Sequence, residues 1–447
     1  MATTIIKNAQ IVNEGKTIYG DVLIKDQRIE KIGTGLSVKG AATEINAEGL
    51  YLLPGAIDDQ VHFREPGLTH KATIHSESKA AVAGGVTSFM EMPNTNPPAF
   101  TQELLEEKYT IGKNSSVANY SFYMGTSNDN YDEVMRTNDK KKDVCGVKIF
   151  MGSSTGNLLV DNTLVLDRIF SGCELLIATH CEEEAIIKAN LAKLKTEKGI
   201  LEASDHPIIR NEEACFESSF KAVQFAKKYG SRLHILHITT EKELQLFGNM
   251  LPLADKRITC EVCVHHLHFT SDDYATLGNQ IKCNPAIKAP HNKAALWIAL
   301  NDDRLDVIAT DHAPHTWEEK QHGYEQSHAG LPLVQHSLQM MLKYVSEGKI
   351  SMEKMVHKMS QAVATCYQIK ERGFIREGYF ADLVLVDTNK PYTVTKDNIL
   401  YQCGWSPLEG TTFNASIIQT FVNGRSVYGI NGVAASVRGE RLQFNRE

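Results

Sequence analysis

Eight short apolar runs recur between about residues 52 and 345 of this 447-residue chain, and stretches with helical periodicity separate them. The runs are GAIDDQVHF, VTSFMEMP, NYSFYMG, CGVKIFMG, ELLIATH, RLHILHI, ITCEVCVHH and LDVIATDH. Strand-like runs that alternate with helices are typical of repeated βα units and a parallel sheet. Eight such units close a barrel, so the sequence predicts an α/β fold with a (β/α)8 TIM barrel.

The two ends of the chain have a different sequence pattern from this middle part. Residues from Thr4 to about Ala47, and later the runs GFIREGYFADLVLVD and ASIIQTFVNGRSVYG, form short strand-like pieces with tight turns. A barrel formed between them leaves both ends outside it. We therefore expect a small discontinuous β-sandwich domain from residues 1–52 and 373–447, with the barrel spanning residues 53–372.

Composition excludes several classes of protein. A formal net charge of -7 gives no basic footprint for nucleic acid. No apolar run reaches the roughly 18 residues that a membrane span requires, and the first residues lack the pattern of a secretory signal. Nine cysteines, an odd number, fit reduced thiols better than a disulfide framework. We expect a cytoplasmic protein with neither a membrane nor a nucleic-acid partner.

Residues suited to metal binding or acid-base chemistry stand at or near the ends of six predicted strands. They are His62, Asn94, Lys148, His180, His237 and Asp311. The carboxyl ends of barrel strands form the rim on which barrel enzymes carry their active sites. Neutral histidines and carboxylates suit zinc, which lowers the pKa of bound water to about 7. The pattern predicts a metal-dependent hydrolase in which Asp311 carries a proton.

The segment DDQVHFREPG carries candidate residues for metal binding and for anion binding on one strand face. Residues two apart in a strand share a face, so Gln60, His62 and Arg64 project together. The planar fork of Arg64 suits a carboxylate. Gln60 stands where a first histidine would complete a His-x-His metal pair, and an amide oxygen binds zinc more weakly than imidazole does. A metal ligand and an anion-binding group are thus predicted in one pocket.

This order of residues resembles the amidohydrolase superfamily, and within it the dihydroorotase family of cyclic amidohydrolases. The resemblance spans nearly the whole chain, including the split β domain and the closing run GFIREGYFADLVLVD. It implies the reversible interconversion of L-dihydroorotate, a small substrate with a carboxylate, and N-carbamoyl-L-aspartate in pyrimidine biosynthesis. It also implies one or two zinc ions (Zn2+) per chain.

The resemblance assigns roles residue by residue. Asp311 would be catalytic and would also bind metal together with His62, Lys148, His180 and His237, with Lys148 carboxylated and Gln60 doubtful as a ligand. Arg64 and Asn94 would hold the substrate carboxylate, and the other positions close to substrate are Asn284, His315 and Gly330. His265 and His266 end the seventh predicted strand and would be mainly structural.

Several alternatives stay open at this point. The chain could be another cyclic amidase, such as a hydantoinase, dihydropyrimidinase or allantoinase, whose rings lack the carboxylate. It could also be an inactive dihydroorotase-like scaffold that binds a carbamoyltransferase. Gln60 is compatible with two metals of which one is loosened, with a single metal, or with a catalytically dead relative. A homodimer is expected.

Overall fold

The computed structural model describes residues 3–152, 158–434 and 436–446. The N-terminal segment holds five strands: β1 (Thr3–Asn13), β2 (Lys16–Lys25), β3 (Arg28–Gly33), β4 (Thr43–Asn46) and β5 (Tyr51–Pro54). The barrel strands come next as β6 (Ala56–Val61), β7 (Val86–Glu91), β8 (Asn119–Phe122), β9 (Met124–Gly125), β10 (Val147–Phe150), β11 (Ile177–His180), β12 (Leu233–Ile235), β13 (Ile258–Cys263) and β14 (Val307–Ala309). In the described C-terminal residues six strands follow: β15 (Leu383–Asp387), β16 (Tyr392–Thr393), β17 (Thr412–Phe413), β18 (Ser416–Val422), β19 (Arg425–Gly429) and β20 (Gly432–Val433).

Helices lie between and after the barrel strands. They are α1 (Ile74–Ala83), α2 (Gln102–Ser115), α3 (Tyr131–Arg136), α4 (Thr163–Gly172), α5 (Glu184–Lys198), α6 (His206–Ile209), α7 (Glu212–Tyr229), α8 (Val264–His268), α9 (Tyr274–Leu277), α10 (Pro290–Asn301), α11 (Trp317–Gln321), α12 (Ser337–Ser346), α13 (Met352–Val356) and α14 (Ala362–Tyr367). None of the described helices is long and apolar enough to cross a membrane.

The barrel strands are all parallel and join in sequence order. Strands β6, β7 and β8 form one hydrogen-bonded group and β9 to β14 form another. Because β8 and β9 are separated only by Tyr123, they act as one strand of the barrel. The ring closes where the His62 amide donates to the His312 carbonyl at 2.7 Å. The eight predicted runs therefore occupy the eight strand positions, and the predicted barrel is confirmed.

The barrel strands are apolar enough to be buried on both faces. The strands β6, β7, β8 and β10 are buried at every residue, as expected for a parallel sheet covered on both faces.

Helix α1 begins at a Thr73 cap whose hydroxyl accepts from the Ser76 amide. Helix α2 begins in the same way at Thr101.

The two ends of the chain meet in one sheet. Its order is β20-β19-β18-β15-β5-β1-β2-β3, with β4 paired to β1, so nine strands share a continuous hydrogen-bonded network. The N- and C-terminal parts join where Leu52 of β5 pairs with Leu385 of β15. Both leucines belong to a small core that also contains Ile6, Val22 and Phe421. The predicted discontinuous β domain is thus present, and its boundaries at residues 52 and 372 stay a prediction.

One local expectation was wrong. His265 and His266 do not end the seventh strand, because β13 stops at Cys263 and the chain turns into helix α8. Helices α13 and α14 form one helical segment, because a π-helical turn at His357–Gln361 connects them. No Gly or Pro lies between Met352 and Tyr367 to separate them.

Candidate active site

A cavity of about 520 Å3 opens at the carboxyl ends of the barrel strands. Most of the predicted site residues line it: Gln60, His62, Arg64, Asn94, Lys148, His180, His237, Asn284, Asp311 and Gly330. Parallel strands bring their carboxyl ends to one rim, which is why positions far apart in sequence meet here. His315 does not line this cavity and lies behind its wall.

The first part of the site is built on β6 and on the segment after β14. His62 Nδ1 lies 2.7 Å from Asn94 Oδ1, and His62 Nε2 lies 3.1 Å from Asp311 Oδ1. The Gln60 amide Nε2 donates to the same Asp311 oxygen at 3.2 Å. Burial alone would raise the pKa of Asp311, but the hydrogen bond and charge of the His62 ring lower it. Asp311 is therefore held as a carboxylate.

The second part of the site pairs two histidines. His180 Nδ1 lies 3.0 Å from His237 Nε2, and His180 Nε2 lies 3.0 Å from Glu182 Oε2. Burial lowers the pKa of His180, and burial with the nearby His180 and Lys148 charges lowers that of His237 well below its usual value. Both rings are therefore neutral at neutral pH, the form in which imidazole binds a metal.

Lys148 lies in the same cavity on strand β10. Its side chain is buried, and its ammonium lies 4.5 Å from the centre of the Phe150 ring. Burial lowers the pKa of Lys148 to about 7, although Asp311 and Glu261 oppose the shift. Among the described residues, no carboxylate forms an ion pair with it. An amine with a pKa of about 7 is about half neutral at pH 7, and its neutral form is a competent nucleophile toward carbon dioxide.

This donor set fits a divalent metal ion. The two ring nitrogens of His62 face Asn94 Oδ1 and an Asp311 oxygen, so a cation that replaced a hydrogen on Nε2 would be held by both His62 and Asp311. His180 and His237 likewise bring two ring nitrogens together. Neutral imidazoles with a carboxylate are typical zinc ligands.

Two other clusters of metal-type side chains lie in the described part of the barrel. One consists of Cys263, His265 and His266, and the other of Asp59, His234 and Glu261. The nine cysteines are all unpaired thiols, and Cys260 and Cys263 are both buried. His234 lies 3.2 Å from Glu261 and 3.4 Å from Asp59, so the second cluster is already an ion-pair network.

Arg64 forms the anion-binding corner of the cavity. The residue is buried, and its Nε donates to the Pro314 carbonyl at 3.0 Å. Burial lowers the pKa of Arg64 to about 10, which leaves it charged at neutral pH. No carboxylate of the described residues forms an ion pair with it. A buried cation without an anionic partner is costly, so this corner suits an anionic ligand.

The loop that carries Gly330 is fixed by a buried lysine. Lys320 Nζ donates to the carbonyls of His328 at 2.8 Å and of Gly330 at 3.0 Å. Gly330 has φ +145, and a Cβ there would lie 2.3 Å from the Ala313 carbonyl oxygen. Only glycine fits this close approach to the strand end.

Sequence reasoning missed several residues of the site. Glu182 contacts His180 and Arg210, and Arg210, His206, Lys282 and Tyr324 line the cavity. Glu182 could have been predicted, because it comes two residues after His180 at a strand end. The others come from loops and short helices, and the strand pattern carries no signal for them.

Comparison with known proteins gives a consistent picture. The model of the Amidohydrolase family matches residues 51–427. A dihydroorotase from Pyrococcus furiosus is 31% identical over 439 residues, covering 97% of this chain and 96% of that protein. A dihydroorotase from Lactobacillus acidophilus is 29% identical over 427 residues, covering 95% and 98% respectively.

Solved structures share the same fold. The L-hydantoinase (dihydropyrimidinase) from Arthrobacter aurescens superposes with a TM-score of 0.90 at 25% identity, covering 99% of this chain and 98% of that one. The dihydropyrimidinase from Brevibacillus agri gives a TM-score of 0.88 at 23% identity over the full length of both chains. The barrel and its rim of histidines and carboxylates define the class of metal-dependent barrel hydrolases. The chain belongs to the amidohydrolase family.

Proposed function

We propose that the chain is a dihydroorotase, which interconverts L-dihydroorotate and N-carbamoyl-L-aspartate in pyrimidine biosynthesis. The observation that carries this choice is Arg64, a buried cation that lines the cavity with no carboxylate partner among the described residues. Dihydroorotate supplies the missing carboxylate, whereas hydantoin, dihydropyrimidine and allantoin rings lack one. Dihydroorotases at about 30% identity over nearly the full length support the same choice.

The proposed cofactor is Zn2+, one or two ions per chain. His62, Lys148, His180, His237 and Asp311 would hold it, with Lys148 carboxylated at Nζ so that its new carboxylate binds metal. A zinc ion held there supplies Lewis acidity and a nucleophile at neutral pH. Gln60 presents an amide in place of an imidazole. Because its side-chain amide donates a hydrogen bond to Asp311, Gln60 is not proposed as a strong metal ligand.

The chain's own residues perform the remaining steps. Arg64 and Asn94 hold the substrate carboxylate, and the fixed ring orientation lowers the entropic part of the barrier. Asn284 and the Gly330 loop line the same cavity and would contact the ring. During hydrolysis an Asp311 carboxylate oxygen accepts the proton of the attacking water and returns it to the departing ring nitrogen. Cyclisation reverses these steps.

The proposed cellular setting is the cytoplasm. Nine unpaired cysteines fit the reducing cytoplasm. A homodimer is proposed from the resemblance to the family, and a carbamoyltransferase partner is the alternative role of an inactive scaffold. Co-purification of such a partner together with no turnover at any metal loading would favour the scaffold.

Replacing Arg64 by Met tests the substrate assignment. Loss of charged hydrogen bonds should lower kcat/KM for dihydroorotate by about 100-fold, mainly through KM. Hydrolysis of dihydrouracil, which has no carboxylate, should change little from whatever low rate the wild type shows. Lys195→Met is the control, because it removes a cation from the exposed cavity mouth. Equal loss with both rings, or a wild type that prefers dihydrouracil, would overturn the assignment.

A further inference from the structure

We propose that Cys263, His265 and His266 bind a thiophilic metal ion, with Zn2+ as the proposed ion, at the carboxyl end of strand β13. The site shares no ligand with the metal centre proposed for hydrolysis, and none of the hydrolytic steps uses it. The inference therefore goes beyond the proposed function and does not depend on it.

The three side chains bring their donor atoms together in the buried interior. One donor atom from each residue lies within 4.8 Å of the other two. Cys263 is 0% exposed, His265 1% and His266 4%. Strand β13 ends at Cys263 and helix α8 begins at the next residue, so the first helical turn directs both rings back toward the thiol. Ligand atoms of one tetrahedral zinc ion are roughly 3 to 4 Å apart, so small side-chain rotations suffice to close the site.

The two imidazole rings lack partners that buried rings normally have. His266 Nε2 lies 3.2 Å from the Pro285 carbonyl, which only accepts, so a neutral ring carries its hydrogen on Nε2 and a lone pair on Nδ1. That Nδ1 atom has no hydrogen-bond partner in the described chain. Neither ring nitrogen of His265 forms a hydrogen bond of ordinary geometry there, although the Thr310 carbonyl is near. Unpaired buried nitrogens are costly, and a bound ion accounts for them.

The other metal-type cluster of the barrel, formed by Asp59, His234 and Glu261, differs in this respect. His234 Nδ1 lies 2.8 Å from the Thr259 hydroxyl oxygen, and His234 Nε2 lies 3.2 Å from Glu261 Oε2. Protein atoms therefore satisfy both nitrogens of that ring without an ion. Of the two clusters, the one at Cys263 is the one that leaves imidazole nitrogens available.

Cys263 determines the class of ion. Its thiol donates to Gln60 Oε1 at 3.6 Å, and Gln60 lines the cavity, which gives an ion a route to the site. Binding breaks the S–H bond, releases the proton to solvent and forms a metal–sulfur bond with no change of oxidation state. One thiolate with two neutral imidazoles suits Zn2+ and similar ions, whereas Mg2+ and Ca2+ prefer oxygen ligands.

Cobalt substitution tests the site, because a Co2+–thiolate bond gives an intense near-ultraviolet charge-transfer band that nitrogen and oxygen ligands do not give. The full-length protein is stripped with a chelator, titrated with Co2+ and followed by absorbance and elemental analysis. We expect the wild type to develop the band with one equivalent of Co2+ per chain. Cys263→Ser should lose the band and this equivalent, and His266→Asn should bind this equivalent more weakly.

Cys260→Ser and His268→Asn are the matched controls, and both should keep the band. Cys260 lies on the same strand, but its thiol donates to the Arg304 carbonyl at 3.3 Å. His268 lies on the same helix, but its Nδ1 lies 2.7 Å from the Tyr344 hydroxyl oxygen.

A fully cobalt-loaded wild type without the band would overturn the proposal, and this result needs no variant to fold. Retention of the band in Cys263→Ser, its loss in Cys260→Ser, or unchanged Co2+ binding in His266→Asn would also overturn it. Absence of dihydroorotate turnover in the wild type would instead contradict the proposed function, while the cobalt band would still test this site.

Discussion

Asp311 illustrates how single residues are prepared in this site. Gln60 and His62 both contact its Oδ1, and together they hold the carboxylate at the rim beside Lys148. Its backbone φ of 47° is in the left-handed region, which is uncommon outside glycine. This backbone conformation costs some local stability. It is consistent with a position where the direction of the side chain is needed for function.

Replacing Asp311 by Asn removes the proton carrier and keeps the side-chain shape. Turnover of dihydroorotate should fall by about 1,000-fold or more, because an amide cannot accept and return the proton. The melting temperature should change little. Asp255→Asn, on an exposed turn, is the matched control. Retention of more than about a tenth of the wild-type turnover would remove Asp311 from its assigned role.

Among single residues, those at strand ends are predicted well from the sequence. Those whose contact partners lie far away in the chain are predicted poorly. His62, His180 and Asp311 were predictable because they stand at the ends of short buried strands. The contact of Lys71 with the His315 ring was not, because the two residues are 244 positions apart and neither lies on a strand. His315 was predicted to lie close to substrate; its ring contacts Arg64, which lines the cavity, and its role stays a prediction.

Strands β6, β12 and β13 share a buried ionic layer within the barrel. Asp59, His234 and Glu261 supply one side chain each, and each is 0% exposed. Glu261 Oε1 also accepts from the backbone amide of His237 at 3.2 Å, and His237 has a left-handed φ of 39°. The layer therefore supports the backbone that presents a proposed metal ligand.

His234 should make stability depend on pH. Burial opposes its charge, but hydrogen bonds and charges from Asp59 and Glu261 outweigh burial and raise the pKa of His234 to about 9. A raised folded-state pKa gives stability that is fully present below the unfolded value of about 6.5 and is lost as pH rises through the folded value. The free energy of unfolding should therefore fall by on the order of 3 kcal/mol from pH 6.5 to 9.

The variant His234→Gln should be less stable than the wild type at pH 6.5 and should show a flatter pH dependence. Urea unfolding at several pH values measures this. His322→Gln, at an exposed position, should keep the wild-type slope. Parallel pH profiles for wild type and His234→Gln would show that the ring is neutral in the folded protein.

Element by element, the sequence predicts the strands of the barrel better than the turns and helices that connect them. The eight runs are short, apolar and bounded by polar residues, so burial determines their structure. The turn of α8 after β13 was not predictable, because VHHL has no strong helical or extended preference and tertiary contacts decide its conformation. The helical segment that ends at Tyr367 contains a π-helical turn, which disturbs the helical period of its sequence.

The whole molecule joins its two domains through a buried polar hub. Asp382 receives the amide of Asn423 at 2.8 Å and the side-chain amide of Asn119 at 3.1 Å, and it pairs with Arg372. Asn119 begins barrel strand β8, whereas Asn423 lies directly after β18 of the nine-stranded sheet. The discontinuous β domain was predictable because both ends of the chain share one sequence pattern of short strands and tight turns. This hub was not, because Asn119 lies 263 positions from Asp382 in the chain.

The most direct test of the proposed enzyme measures metal content and dihydroorotate hydrolysis on the same preparations of wild type and Gln60→His. We expect a wild type that contains divalent metal in roughly stoichiometric amount and turns over dihydroorotate, since the ligands other than Gln60 suffice. Gln60→His should gain metal without being required for activity. A fully metal-loaded wild type with no turnover, together with activity gained in Gln60→His, would mean that the glutamine has disabled the enzyme.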